Sequence, residues 1–311
     1  MLKTRHVLLA KVETSYNSEA SPTAGSNAIL VENLQWSFEG ARRAERNALT
    51  TKFAPLKSLY AGSLIGLSFD VEIKGSGSAG TAPELAPLLL GCGMSETVVA
   101  ATSVAYAPDN DPSNHESLTM YLYEDGIRYK ITGARGSFSM SLQTAQAGKL
   151  SFKFVGHLLP NTADTALASP TLSSVVPPVI KSVVFEVDSY EAIVSKLEVD
   201  PGITVATPDN MASDDGYGEI RITAMAPTFS IDPEATVLAT YNWLTKWQSS
   251  ASYLMQTGVI GTSAGNRYKF EAPAAVYTEL GTGDRDGILT REIKGMLTDT
   301  SGAAFMTLTF T

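Results

Sequence analysis

Apolar and polar residues alternate through Leu67-Ser68-Phe69-Asp70-Val71-Glu72-Ile73-Lys74, and again through Gly218-Glu219-Ile220-Arg221-Ile222-Thr223. A period of two sends one set of side chains into a core and the other to a polar surface, so both segments are predicted strands with one buried face. Leu118–Tyr123 and Ile127–Ile131 flank Asp125-Gly126. Asp-Gly between strand-like runs predicts a hairpin, because both residues tolerate the positive φ of a tight turn. A helical period stands out in two places, Thr81–Gly91 and Asp232–Leu244. The first is short and ends at glycine. The second puts Val237, Leu238, Tyr241 and Leu244 on one face behind Asp232, a suitable N-cap. Each has a Pro-Glu pair in its first turn, where the missing proline N–H is not needed and Glu favours the positive helix end. The chain is predicted to be mainly β.

These elements recur in order. Trp36 and Phe38 share an early strand, as Phe185 and Val187 share a later one. Pro83-Glu84 is answered by Pro233-Glu234, and Asp-Gly-Ile occurs at 125–127 and 286–288. Each half closes on a strand, Lys149–Val155 and Ala304–Thr311. A repeated order predicts a tandem duplication. The expected division is an N-terminal arm over 1–28, a first β domain over 29–159, a linker over 160–178 and a second β domain over 179–311. The linker is rich in Ser, Thr, Ala and Pro and ends on Pro177-Pro178. Each domain is expected to be a β-sandwich or barrel with one flanking helix.

A length of 311 residues suits two domains, and 44% hydrophobic residues are enough to build cores rather than a disordered chain. No apolar run approaches the ~20 residues of a membrane helix. Val7–Ala10 is shorter than the apolar core of a secretory leader, ~7–15 residues. The expectation is a soluble, unprocessed protein. The single cysteine, Cys92, makes no internal disulfide or thiolate cluster, and between Gly91 and Gly93 it reads as a small buried hydrophobe.

The net charge of −9 is uneven. Residues 1–160 carry 14 Lys+Arg against 14 Asp+Glu, and residues 161–311 carry 9 against 18. Gripping nucleic acid requires cations to neutralise phosphates, so this balance excludes a nucleic-acid clamp. It allows a wall that surrounds nucleic acid without holding it. Two long loops differ in sign. Glu39–Ser58 holds Arg42, Arg43, Arg46, Lys52 and Lys57, whereas Asp188–Gly216 holds Glu191, Glu198, Asp200, Asp209, Asp214 and Asp215. They read either as two solvated surfaces or as partners across a subunit junction, where opposite fields set register.

Motifs that suggest catalysis lack their context. Gly75-Ser76-Gly77-Ser78-Ala79-Gly80 matches GxGxxG, but the strand before it is half exposed, the helix after it is short, and Glu84 stands near where a pyrophosphate would sit. Gly261-Thr262-Ser263-Ala264-Gly265 matches GxSxG, but a strand-like run follows it and no histidine lies beyond His157. Asp284-Arg285-Asp286-Gly287 lacks the remaining ligands of a calcium loop. His6, His115 and His157 are scattered. The chain is therefore expected to be no enzyme and to need no metal or cofactor.

The chain resembles the major tail tube proteins of long-tailed bacteriophages. The resemblance rests on Glu32-Asn33-Leu34-Gln35-Trp36-Ser37-Phe38 before a long loop, then Phe69–Ile73, then Pro83-Glu84-Leu85 leading to Leu90-Gly91-Cys92-Gly93. Gly265–Pro273 followed by Asp286-Gly287 extends it over essentially the whole chain. It implies β-sandwich or barrel-like domains with one flanking helix, six to a ring, with rings stacked into a tube. Inward strands would join across subunits into a barrel lining a DNA channel, and the long early loop would touch the next ring. A duplicated chain then implies three subunits with pseudo-sixfold symmetry. The expected partners are the chain itself, tape measure, terminator and baseplate proteins, and genomic DNA passing without specific binding; no membrane is expected. The expected location is the virion tail, assembled in the host cytoplasm. Candidate stacking residues are Arg42, Arg43, Arg46, Lys52, Glu191, Glu198 and Asp200. Candidate channel-lining residues are Asp70, Glu72 and Glu219. The alternatives are a tube-terminator or baseplate ring protein of the same fold, or a ligand-binding β-sandwich.

Overall fold

The computed structural model describes residues 5–49, 51, 53–160, 163–299 and 304–311. The first half runs β1 (His6–Val12), β2 (Ala28–Ile29), β3 (Glu32–Glu39), β4 (Arg43–Ala44), β5 (Leu59–Tyr60), β6 (Leu64–Glu72), α1 (Ala86–Leu90), β7 (Met94–Val99), β8 (Ser103–Pro108), a 3₁₀ turn (Pro112–Asn114), β9 (Leu118–Glu124), β10 (Ile127–Gln143), β11 (Lys149–Leu158) and β12 (Ala163–Asp164). The second half continues β13 (Phe185–Val187), β14 (Tyr190–Ala192), β15 (Lys196–Asp200), β16 (Ile203–Ala206), β17 (Arg221–Met225), β18 (Thr228–Ile231), α2 (Trp243–Ser249), β19 (Tyr253–Thr257), β20 (Tyr268–Arg285), β21 (Ile288–Leu297) and β22 (Thr307–Phe310). Among the described residues no helix is long and apolar enough to cross a membrane.

The chain is mainly β, as its alternation predicts, and every strand pair is antiparallel. Tracing the main sheet from strand to strand never returns to the start. The described strands therefore form open, branched sheets and not a closed barrel. One path through it runs β3-β6-β11-β10-β15-β18-β21-β20. The second four strands repeat the connectivity of the first four.

The two long strands are used alike. On one edge, β10 meets β9 through Ile127–Ala134 and then β15 through Met140–Gln143, while β11 holds the opposite edge. On one edge, β20 meets β19 through Glu271–Ala275, while β21 holds the opposite edge through Ala275–Arg285. Beyond Ala275, no described strand pairs with the β19 edge of β20. The first gap is met from the C-cap of α1 and the second from α2. Gly136 N–H donates to Gly91 O just after α1 (3.1 Å), and Trp247 Nε1 of α2 donates to Thr278 O (3.0 Å).

The core is continuous across both halves, because the alternating faces of both sheets meet. Phe69, Phe152 and Phe154 stack from neighbouring strands of the first half, and Phe229, Phe270 and Phe310 join the same buried cluster from the second. Two ladders cross between halves, β10 with β15 and β8 with β22. Leu85, Leu88 and Leu89 anchor the one-turn α1, and Cys92 beside it is fully buried, where desolvation pushes its thiol upward.

Several expectations are corrected. The short strand expected at the start of the N-terminal arm is β1, but it is part of the sheet, pairing with β9 along its whole length and burying Leu8, Leu9 and Ala10. The expected linker is tied down by β12 and by Thr171 N–H donating to Ala24 O. The expected second helix begins at Trp243, not Asp232, because Asp232 is spent elsewhere. Its carboxylate accepts the Ser195 and Lys196 N–H groups at the start of β15, and Pro233 O accepts Arg291 N–H from β21. Both Asp-Gly turns exist, with positive φ at Asp125, Gly126, Asp286 and Gly287. They join β9 to β10 and β20 to β21, which are not corresponding positions. Gly218–Thr223 likewise does not match β6: it leads into the separate β16–β17 hairpin, and β18 takes the place of β6.

Candidate assembly surface

One face of the eight-strand path is polar because each strand contributes its non-core set. From the first half come Gln35, Ser68, Asp70, Ser137, Ser139, Ser151 and Lys153, which line one groove. Ser141, Glu198, Asp200, Ser230, Glu279 and Lys294 line the adjoining groove. Register fixes the rows. Glu72 lies opposite Lys149, Lys149 opposite Ser141, Ser141 opposite Glu198, Glu198 opposite Ser230 and Ser230 opposite Lys294.

Three of the four lysines named on this face are matched by carboxylates, and Lys153 has no ion pair among the described residues. Lys149 meets Glu32 at 2.5 Å, Lys196 meets Glu198 at 2.6 Å and Lys294 meets Glu279 at 3.0 Å. The Glu32 carboxylate raises the Lys149 ammonium above its usual value. Asp70 accepts hydrogen bonds from Asn33 Nδ2 (2.7 Å) and Ser151 Oγ (2.6 Å). Hydroxyls and neutralised pairs dominate, so no cationic stripe is presented to a polyanion.

At one end of this face the strand rows are covered by the segment that follows β15. Arg135, 6% exposed, donates to Glu219 Oε1 (3.0 Å), Ile220 O (2.7 Å) and His115 O (2.7 Å). His157 bridges Tyr16 OH (2.9 Å at Nε2) and Asp215 Oδ2 (2.6 Å at Nδ1), and Tyr16 OH accepts Ile220 N–H (2.7 Å). Burial and neighbouring acids push the Tyr16 hydroxyl up to about 12. Below this cap, Glu13 is buried and accepts from Asn17 N–H, Ser117 Oγ, Thr119 Oγ1 and Gly133 N–H.

Burial raises the carboxyls of Asp215 and Glu219, but their donors outweigh it, so both sit below the ordinary values of 3.8 and 4.5. For Asp215 the donors are Ser213, His157 and Tyr217 N–H; for Glu219 they are Arg135 and Arg221. A carboxylate depressed in the folded state contributes stability that is complete above its unfolded pKa and lost as pH falls through the folded value. The urea midpoint should therefore hold steady down to about pH 5 and fall below it. Asp215→Asn should lower the midpoint at pH 7 and flatten that fall. A midpoint unchanged at pH 7 contradicts the assignment.

Asp70 and Glu72 of β6 project from the polar face. Glu219 does not join them: it lies in the cap, paired with Arg135 and Arg221 (2.9 Å). Glu198 and Asp200, expected in a stacking loop, belong to β15 and line the polar face. Glu191 is exposed in β14 at the opposite end from the cap. Arg42, expected in a stacking loop, has a partner within its own chain. It pairs with Asp209 (2.5 Å) and lies 3.8 Å over the Tyr217 ring, so the basic and acidic loops meet within one chain. Arg43 and Arg46 are exposed, and Lys52 lies outside the described residues. The serine rows were overlooked, though Ser137-Phe138-Ser139-Met140-Ser141-Leu142 alternates as cleanly as β6 does. Among the described residues no group of His, Cys, Asp or Glu is placed to hold a metal. No protein-family model matches the sequence, and no curated protein matches it.

Proposed function

We propose that this chain is the ring-forming subunit of a phage-type tail tube, a tandem duplication in which two copies of one β domain stand side by side. The observation that carries this reading is the joint between β10 and β15. On this reading, β15 of one copy adds to the long strand β10 of the other. Among the described strands the same two edges recur without partners: β3, the counterpart of β15, is paired only with β6, and the matching stretch of β20 only with β21. Unpaired edges are a hazard in a lone particle, and ring closure removes them. Three chains joined β20 to β3 would place six copies around a channel lined by the polar face, with Asp70, Glu72, Glu198 and Asp200 in the lining. Such a wall, rich in hydroxyls and paired charges, suits DNA that must slide. Tape measure, terminator and baseplate proteins would meet the ends of this tube.

Negative-stain microscopy of the purified chain tests the reading. Stacked rings with an axial channel are expected. Discrete rings that never stack would indicate a terminator or baseplate ring, and monodisperse monomers would indicate a ligand-binding module.

A further inference from the structure

A polar cleft opens where the cap meets the first half. Its walls come from Tyr16, from Tyr60 at the end of β5, from His157 in β11 and from residues 210–219 of the cap. It holds about 650 Å³, inside the ~300–1,000 Å³ of small-molecule sites. It shares no residue with the two grooves of the polar face. The walls are fixed before any ligand arrives. Asp215 accepts from His157 Nδ1 (2.6 Å), Ser213 Oγ (2.5 Å) and Tyr217 N–H (3.0 Å). Asn210 N–H donates to Gly216 O (3.0 Å), and Asn210 Oδ1 accepts Ala212 N–H (2.9 Å). Gly218 N–H donates to Pro208 O (2.7 Å). A site that is already shaped loses little ordering entropy when it binds.

The groups left unspent along these walls define the ligand. Asn17 Oδ1 is taken by Thr132 Oγ1 (2.6 Å) and Asn210 Oδ1 by Ala212 N–H, but the Nδ2 groups of both have no partner among the described residues. The exposed Asp214 carboxylate has none there either. Tyr60, 65% exposed, shares one hydrogen bond with Ser63 Oγ (2.6 Å) and offers its ring. The free set is thus two donors, an acceptor and an aromatic face. An anion would meet Asp214, Asp215 and Glu219, with no lysine or arginine among the described lining residues. A cation would find two of the rings occupied, since Arg135 lies over Tyr16 (5.2 Å) and Arg42 over Tyr217 (3.8 Å). It would also leave both amide donors idle. A neutral polyol uses the whole set. Each of its hydroxyls donates and accepts, and the C–H face of a sugar ring covers the apolar body of a tyrosine.

We propose that this cleft binds a neutral saccharide. Asp214 accepts from a sugar hydroxyl, Asn17 and Asn210 donate to sugar oxygens, and the Tyr60 ring packs against the C–H face. The site goes beyond the tube reading and stands apart from it, because one chain builds the whole cleft.

Saturation-transfer NMR on the full chain tests the site. Maltose, lactose and chitobiose serve as neutral probes, putrescine as a cation and citrate as an anion. At least one disaccharide should receive transfer at its ring protons. Asp214→Ala and Tyr60→Ala should each weaken its binding by about tenfold or more, the loss of a charged hydrogen bond or a ring face. Asp214→Ala leaves no partner behind, so its thermal melt should match the parent chain, and it carries the test if Tyr60→Ala, which strips Ser63 of a partner, does not fold. Three outcomes overturn the saccharide site: transfer to none of the disaccharides, binding that a folded variant leaves unchanged, or putrescine or citrate bound as tightly. Ring formation is read separately by microscopy, so none of these results bears on the tube.

Discussion

A chain carrying Ser37→Cys and Gly281→Cys, oxidised after assembly, is expected to run on a denaturing gel as monomer, dimer and trimer bands and nothing larger. The positions follow from the internal joint. In β10–β15, Met140 lies opposite Val199 and Ser141 opposite Glu198, so the same register places Ser139 opposite Asp200. Ser137 lies opposite Lys153, which faces Ser68, as Glu279 lies opposite Lys294, which faces Ser230, and this aligns Ser139 of β10 with Gly281 of β20. Glu198 and Gln35 occupy corresponding points through Ser230 and Ser68, which aligns Asp200 with Ser37. Ser37 of one chain should therefore face Gly281 of the next. Directly opposed residues in an antiparallel pair hold their Cβ atoms about 4.5–5.5 Å apart, close enough for small adjustments to form a disulfide. A Cβ at Gly281 meets nothing closer than 3.4 Å, and the native Cys92 is buried and cannot join. Ser37→Cys alone should give no ladder. Bands extending to six chains would replace a ring of three with a ring of six. Rings that form but do not cross-link would overturn the register.

The parts legible in the sequence are those set by near neighbours. Alternation through Leu67–Lys74 gives β6 with its buried and polar faces, and Asp125-Gly126 gives the β9–β10 hairpin. A turn or a pleat is decided within a few residues. Which strand lies beside which is decided by residues far apart, and there the reading of repeats failed in detail. Trp36 and Phe38 were matched to Phe185 and Val187 by spacing, but β3 corresponds to β15 and β13 lies elsewhere in the sheet. The helix at Asp232 failed for a related reason. Its N-cap and proline signals are sound locally, yet the Asp232 carboxylate gains more by holding the start of β15. On the candidate surface, Asp70 and Glu72 were found because the period of β6 exposes them. Glu219 sits in a run with the same period but turns into the cap, because Arg135, a bulge away on β10, needs a carboxylate. The opposite charges of the two long loops were visible; that Arg42 of one pairs with Asp209 of the other within one chain was not.

Gly75→Ala is expected to destabilise the folded chain by about 3 kcal/mol, the upper part of the range for overpacking. The two glycine motifs that mimic nucleotide-binding and hydrolase signatures meet each other. Gly77 N–H donates to Gly265 O and Gly75 N–H to Asn266 Oδ1, at 2.9 and 3.0 Å. A Cβ at Gly75 would stand 2.0 Å from Gly265 O, and a Cβ at Gly265, whose φ is +80°, would stand 2.4 Å from Ser78 N. Both obstructions are backbone, which cannot swing aside as a side chain can. Relief would require parting the loops, and with them the closure between β6 and β20 that holds the halves at one angle. If rings form as proposed, the free edge of β20 must be aimed at its neighbour, so the loss should appear twice: as a lower urea midpoint and as fewer closed rings at equal protein concentration. Gly25→Ala is the control, since a Cβ there meets nothing within 4 Å. A Gly75→Ala chain that unfolds at the parent midpoint would mean that the two loops do not lock the halves together. Equal destabilisation at Gly25 would mean that loss of glycine, and not the collision, is being measured.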